Sequence, residues 1–302
     1  MISRKYRIDL AALNGKNVKC NMLCKYCHKD YFCINKYFDE SITYTFSELI
    51  KFSENLYNDN AILDIHLTGR AEPLVVDKKR IFLEISSLKK NFPNASFSMT
   101  TNGLKLKYYA NILKSSGLEK VNISYHYGYN SSSDVYVRGI ESSLSIGLKV
   151  ILNAVVTSDT IKYFDEYVNF ISKYKISVKF FCILLNNLQE SETIYNKFTE
   201  LITNKFGMPE KYDESKHRNI FNINDEYQII IKLLEKSNKR PDACNKCYMR
   251  KNCNEGCWNS IRITPWYIKP CGVREDNIYF PSENNPESLK QKLYTGGKLF
   301  LK

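Results

Sequence analysis

No run of apolar residues in the 302-residue sequence is long enough to span a bilayer, so a membrane anchor is not expected. The N-terminal stretch MISRKYRIDLAALNGKN is basic, but Asp9 interrupts its short apolar segment and it reads poorly as a signal peptide. Also missing are low-complexity tracts, repeats beyond an alternation of strands and helices, and any RNA-binding signature. Nucleic acid is therefore not an expected partner. Histidine is scarce: His28, His66, His126 and His217 share no ligand spacing, and this leaves an imidazole-based metal site without support. Acidic residues are short as well, 32 against 44 Lys and Arg, for a formal net charge of +12. That balance suits an anionic small molecule, an acidic peptide or simply a solvated basic surface, and alone decides nothing.

What the sequence does have is an ordinary globular composition, 43% hydrophobic and 25% charged, on a chain long enough to bury a sizeable core. Its ten cysteines are thus not needed to staple a small fold. Lacking a secretion signal, the chain is expected in the cytoplasm, where thiols stay reduced and clustered cysteines more often hold metal than pair.

Strands alternate with helices along the first two thirds. Strands are expected at 6–12, 61–69, 95–100, 120–126, 149–157 and 177–185, and helices at 46–57, 77–91, 105–115, 134–147, 161–174 and 189–206, with Ser47 as the N-cap of the first helix. Six such units with apolar strands predict an α/β fold, a partial (β/α)6 TIM-like barrel with a parallel sheet and outer helices. Chemistry in such folds collects at the C-terminal strand ends. The expected organisation is a partial barrel over 1–206, a connector with a β-hairpin turning at Asn224–Asp225 over 207–240, and a small Cys-rich module with a tail over 241–302.

Directly after the first strand comes KCNMLCKYC, with Cys20, Cys24 and Cys27 inside eight positions. Three thiolates cannot complete a tetrahedral zinc site or fill all four irons of a cubane cluster. They leave one iron open to an outside ligand, as catalytic metal sites do. Tyr26 offers an aromatic face beside that position.

The Cys20-x3-Cys24-x2-Cys27 loop, with an aromatic residue before its last cysteine, resembles that of the radical S-adenosylmethionine (SAM) superfamily. LTGRAEPL at 67–74 is similar to the family's Gly-Gly-Glu-Pro motif, which receives the SAM amino group; Gly69, Glu72 and Pro73 match, while Arg70 and Ala71 depart from it but keep their carbonyls. The resemblance extends to SMTTNGL, VNISYH and ILNAVV at the next three strand ends. It implies that Ser124, Asn153, Thr101 and Asn102 contact SAM, each with turn chemistry or a satisfied core amide as the plainer reading. The implied enzyme is oxygen-sensitive. It carries a 4Fe-4S cluster and takes an electron from a reductant such as flavodoxin or ferredoxin. It cleaves SAM to a 5′-deoxyadenosyl radical that abstracts hydrogen from substrate.

A second cluster runs Cys244-x2-Cys247-x5-Cys253-x3-Cys257, followed by Cys271. Its spacing resembles the SPASM or twitch-like auxiliary-cluster domain, which implies one auxiliary 4Fe-4S cluster on Cys244, Cys247, Cys253 and Cys271, with Cys257 a free thiol or alternative ligand. Cys257-x13-Cys271 also resembles the C-terminal region of the molybdenum-cofactor GTP cyclases, although their Cys-x2-Cys pair is absent. Cys182 reads as a buried core cysteine, or alternatively as a catalytic hydrogen-atom donor.

The expectation is thus a radical SAM enzyme. Modification of a ribosomally synthesized peptide, by cross-link, oxidation or epimerization, comes first by analogy with SPASM-bearing relatives. Second is cyclization or rearrangement of a nucleotide or other anionic small molecule. A non-catalytic metal-binding or electron-transfer protein is a third reading.

Overall fold

The structure, a computed structural model, describes residues 3–15, 20–22, 24, 27, 44–57, 60–69, 71–126, 134–182, 188–213, 218–233 and 260–269. Contacts divide the chain into two compact units, one of Met1–Thr100, Asn111–Glu119 and Ser237–Lys302, the other of Thr101–Ala110 and Lys120–Lys236.

In the first unit, β1 (Ser3–Asp9), β2 (Ile62–Thr68) and β3 (Ser96–Thr101) pair in parallel and in sequence order. Two late strands join them: β10 (Ser260–Ile263) runs parallel to β1, and β11 (Ile268–Lys269) closes a short hairpin onto β10. Period-two alternation separates the faces of this sheet. Tyr6, Ile8, Ile65, Leu67, Phe97, Met99, Ile261 and Ile263 are buried on one side. Helix α1 (Phe46–Tyr57) docks there through an ionic contact: Arg4 Nη1 donates to both oxygens of Glu54 at 2.7 Å, and the Tyr6 hydroxyl donates to Glu54 and lies 2.8 Å from Ser53 Oγ. Burial first, then the neighbouring Glu54 carboxylate, keeps the Tyr6 phenol protonated far above its usual range. Arg4 is only 5% exposed. Glu54→Ala should therefore take the paired carboxylate away from a buried guanidinium and lower stability by about 3 kcal/mol, readable as a shifted urea midpoint.

The first helix begins two residues earlier than Ser47 as its cap would allow. Thr45 is its cap: Glu48 N–H donates to Thr45 Oγ1 at 3.2 Å, and Thr45 N–H donates back to Glu48 Oε2 at 2.8 Å. This is a reciprocal capping box. The backbone and then the hydroxyl of Thr45 hold the Glu48 carboxyl below its ordinary range. The first strand likewise ends earlier than its apolar pattern suggests. Asp9 accepts from Ala12 N–H and caps a 3-10 turn over Leu10–Asn14, so the apolar run continues as a turn rather than as strand. Helix α2 (Lys78–Asn91) starts at Asp77, whose carboxylate accepts from the Lys79 and Arg80 amides.

In the second unit, β4 (Lys120–Ser124), β5 (Lys149–Val155) and β6 (Ser177–Phe181) are parallel, with α4 (Asp134–Ser145), α5 (Ser158–Lys162) and α6 (Phe164–Tyr174) between them; α3 (Leu106–Ser115) runs from this unit into the first. The single helix expected at 161–174 is two, joined at Tyr163, because Thr157 and Thr160 form their own capping box upstream. Helix α7 (Leu188–Phe206) leads to β7 (Lys211–Asp213), β8 (Arg218–Ile223) and β9 (Tyr227–Lys232). The β8–β9 hairpin turns at Asn224 and Asp225, both at positive φ (50° and 58°), the left-handed region that Asn and Asp tolerate. β9 then adds in parallel to β6, extending the sheet. Tyr167, Phe180 and Phe198 pack ring against ring beneath it.

Candidate functional site

The cysteine loop follows the C-terminal end of β1, as the sequence implies. Cys20 and Cys24 are half-buried and Cys27 is exposed, and none is in a disulfide. Cys27 N–H donates to the Cys24 carbonyl at 3.0 Å. Among the described residues no three His, Cys, Asp or Glu side chains already form a metal cage. The donor set itself suits iron: soft thiols on an accessible loop, three where a closed site needs four. Tyr26 and Arg70, and the C-terminal Cys244, Cys247, Cys253, Cys257 and Cys271, lie outside the described residues.

Gly69 has a local reason to be glycine. A Cβ there would meet Asp9 Oδ1 at 2.0 Å and Asp9 Cα at 3.2 Å. The residue thus clears the Asp9 carboxylate that caps the turn leading to the cysteines. Glu72 is buried and accepts from Leu74 N–H at 3.1 Å, capping a 3-10 turn over Pro73–Val75; Ala71 is half-buried beside it. Thr101 Oγ1 accepts from Gly103 N–H, and Asn102 Oδ1 from Leu104 N–H, both at 3.1 Å. Both side chains serve this turn, which Gly103 completes at φ 83°.

In the second unit, Ser124, Asn153 and Lys179 stand side by side in one row across β4, β5 and β6. Asn153 Oδ1 is buried and has no hydrogen-bond partner among the described residues. A buried amide oxygen in this state is an acceptor awaiting a donor. Cys182 follows β6 in step with Val178 and Phe180, on the side packed by helices, and its thiol donates to the Ser191 carbonyl at 3.5 Å. That placement is the core-cysteine arrangement. His126, just past β4, is held neutral by burial, its pKa lowered to about 4. The unfolded chain binds this proton near 6.5, so between there and about 4 it holds more protons than the folded chain. Stability should accordingly fall by about 1.4 kcal/mol per pH unit through that window and level off below it, and His126→Gln should flatten the fall in urea titrations.

The first unit also holds a feature that sequence reading missed. On the face opposite the helix-packed one, the strand register places Lys269, Arg262, Arg7, His66 and Ser98 side by side across β11, β10, β1, β2 and β3. Lys269 is 2% exposed, Ser98 3% and His66 5%, and both arginines are half-buried. Rows on either side carry Asp9 and Thr68, and the paired Lys5 and Asp64 with Nζ and Oδ2 2.9 Å apart. Arg7 between Tyr6 and Ile8, and Arg262 between Ile261 and Ile263, are charges set into strands whose neighbours are buried, a local sign that does not reveal the two as neighbours. Arg7, Arg262 and Lys269 thus put three basic side chains at one level of the sheet.

A protein named "Probable GTP 3',8-cyclase" from Methanococcus aeolicus is 28% identical over 277 residues, covering 86% of this chain and 84% of that one. "GTP 3',8-cyclase" of Nautilia profundicola is 28% identical over 309 residues, covering 91% and 87%. Among solved structures, native anSMEcpe with bound AdoMet matches at a TM-score of 0.64, with 14% identity over 98% of this chain and 82% of that one. The shared fold is the expected class, a partial TIM-like α/β barrel with an open sheet. Residues 17–194 match the Radical SAM superfamily, and on that match the chain belongs to the radical SAM superfamily, enzymes that depend on a 4Fe-4S cluster and SAM.

Proposed function

We propose that this radical SAM enzyme abstracts hydrogen from an anionic nucleotide and cyclizes or rearranges it, in the manner named for its GTP 3′,8-cyclase relatives. The observation that carries this reading is the length of those alignments, which take in the C-terminal segment as well as the radical SAM core. Peptide modification, the first expectation from the SPASM-like cysteines, has no comparable support in sequence. The cation row adds a physical reason. Arg7, Arg262 and Lys269 would bind phosphate oxygens through charge-assisted hydrogen bonds, the guanidiniums being charged at any physiological pH.

Cys20, Cys24 and Cys27 would hold the cluster that, with SAM, supplies one-electron cleavage to a 5′-deoxyadenosyl radical. Gly69 and the Asp9 carboxylate fix the turn that enters the cysteine loop. In the second unit Asn153, with its buried Oδ1 unpartnered among the described residues, and its neighbour Ser124 would be the contacts offered to SAM. An auxiliary cluster on the C-terminal cysteines, and a flavodoxin- or ferredoxin-type reductant, complete the reading. No helix among the described residues is long and apolar enough to cross a membrane.

The test is anaerobic turnover of the reconstituted enzyme with SAM and dithionite. GTP or another nucleoside triphosphate should raise 5′-deoxyadenosine formation and be consumed in proportion, and Arg262→Ala should weaken the apparent nucleotide affinity at least about tenfold. Indifference to every nucleotide, with stimulation by a peptide instead, would overturn the assignment.

A further inference from the structure

His66 differs from the other members of the row. Its Nδ1 lies 2.7 Å from Ser98 Oγ and its Nε2 2.9 Å from Thr100 Oγ1. Both partners are hydroxyls, which donate or accept as required. Either neutral tautomer, and the imidazolium with two N–H groups, can therefore be hydrogen-bonded by the same two side chains without moving anything. Arg7 and Arg262 have no such freedom.

The charges facing His66 set the direction of its response. Arg7 stands opposite it on β1, with Arg262 and Lys269 beyond on β10 and β11. On β1 the flanking rows bring Asp9 and Lys5, on β2 Asp64 and Thr68, and on β3 Ser96, Ser98 and Thr100. Asp64 is engaged by Lys5. The row itself is cationic, so it opposes a further positive charge on the imidazole; an anion seated on the row reverses that sign.

We propose that His66 is a proton-coupled specificity residue of the anion seat: binding of a phosphorylated ligand draws a proton from solvent onto the imidazole, so that affinity strengthens as pH falls. The proposal rests on the nucleotide reading above and adds the residue that makes recognition sensitive to the ligand's charge. Its thermodynamic signature is linkage. Where His66 titrates, the dissociation constant should increase by up to about tenfold for each unit that the pH is raised.

The test is calorimetry on the anaerobically reconstituted protein at about pH 8, with pyrophosphate and then GTP as probes, in two buffers of different ionization heat. The wild type should take up as much as roughly one proton per anion bound, and His66→Asn close to none, which also removes protonation of the probe from the comparison. Equal uptake in both proteins, or none in either, overturns the role of His66 while leaving the anion seat standing. Failure of both probes to bind the wild type overturns the nucleotide reading and this proposal with it. Should His66→Asn fail to fold, imidazole NMR of the wild type decides. With His28, His126 and His217 substituted for assignment, the His66 resonance must titrate to higher pH when pyrophosphate is added, and an unmoved midpoint refutes the coupling.

Discussion

Cys24→Ala is expected to reduce 5′-deoxyadenosine formation from SAM to the level of a protein-free control while leaving the fold in place. Cys24 is half-buried on a loop rather than packed in the core. Its removal should therefore change stability by no more than about 0.5 kcal/mol. Its chemical loss is complete, because a loop with two thiols can neither retain a cubane cluster nor present a single open iron. Cys20→Ala and Cys27→Ala should behave alike, since each likewise leaves only two thiols on the loop. Iron analysis, circular dichroism and product assay on the same preparations separate this outcome from simple unfolding. A Cys24→Ala protein that still cleaves SAM would remove the loop from the chemistry.

The second large effect is at Gly69. An added methyl group lands 2.0 Å from Asp9 Oδ1 and 2.5 Å from its carboxyl carbon, far inside van der Waals contact. Either the carboxylate leaves its cap on Ala12 N–H or the end of β2 shifts. Gly69→Ala should cost about 3 kcal/mol of stability, at the upper end for overpacking because backbone at Asp9 Cα is only 3.2 Å away. Since the displaced turn leads into the cysteine loop, reconstituted iron content should fall as well. Adding Asp9→Ala removes the carboxylate, and the double variant should recover part of the loss, a coupling that a thermodynamic cycle measures directly. Strict additivity would show that Gly69 is there for another reason.

These predictions divide according to what the sequence shows. The strand–helix order was readable because period-two and 3.6-residue patterns follow from backbone geometry alone, and Asn224–Asp225 announced its own turn. Ends were harder. The run Leu10–Ala12 is as apolar as a strand, and only the Asp9 cap, visible in three dimensions, turns it into a 3-10 helix. Thr45 outcompeted Ser47 as a cap because its partner Glu48 sits three residues on, a pairing the sequence contained but a search for apolar periodicity passes over. The cysteine loop was legible because its chemistry is local. The cation row was not, because it is assembled by register across five strands, two of which come from the far end of the chain, as in the pairing of Lys5 with Ser260. Thr101 and Asn102 show the converse: a polar pair at a strand end resembles ligand contacts, and in three dimensions it also accepts local hydrogen bonds from Gly103 and Leu104.

The central claim is that Cys20, Cys24 and Cys27 hold a cluster with one iron left for SAM. Its most direct measurement is electron paramagnetic resonance of the dithionite-reduced protein in which Cys244, Cys247, Cys253, Cys257 and Cys271 are all alanine. That protein should retain about four irons and give a cubane signal whose g values move when SAM is added. Iron lost altogether, or a spectrum that SAM leaves unchanged, would contradict the account.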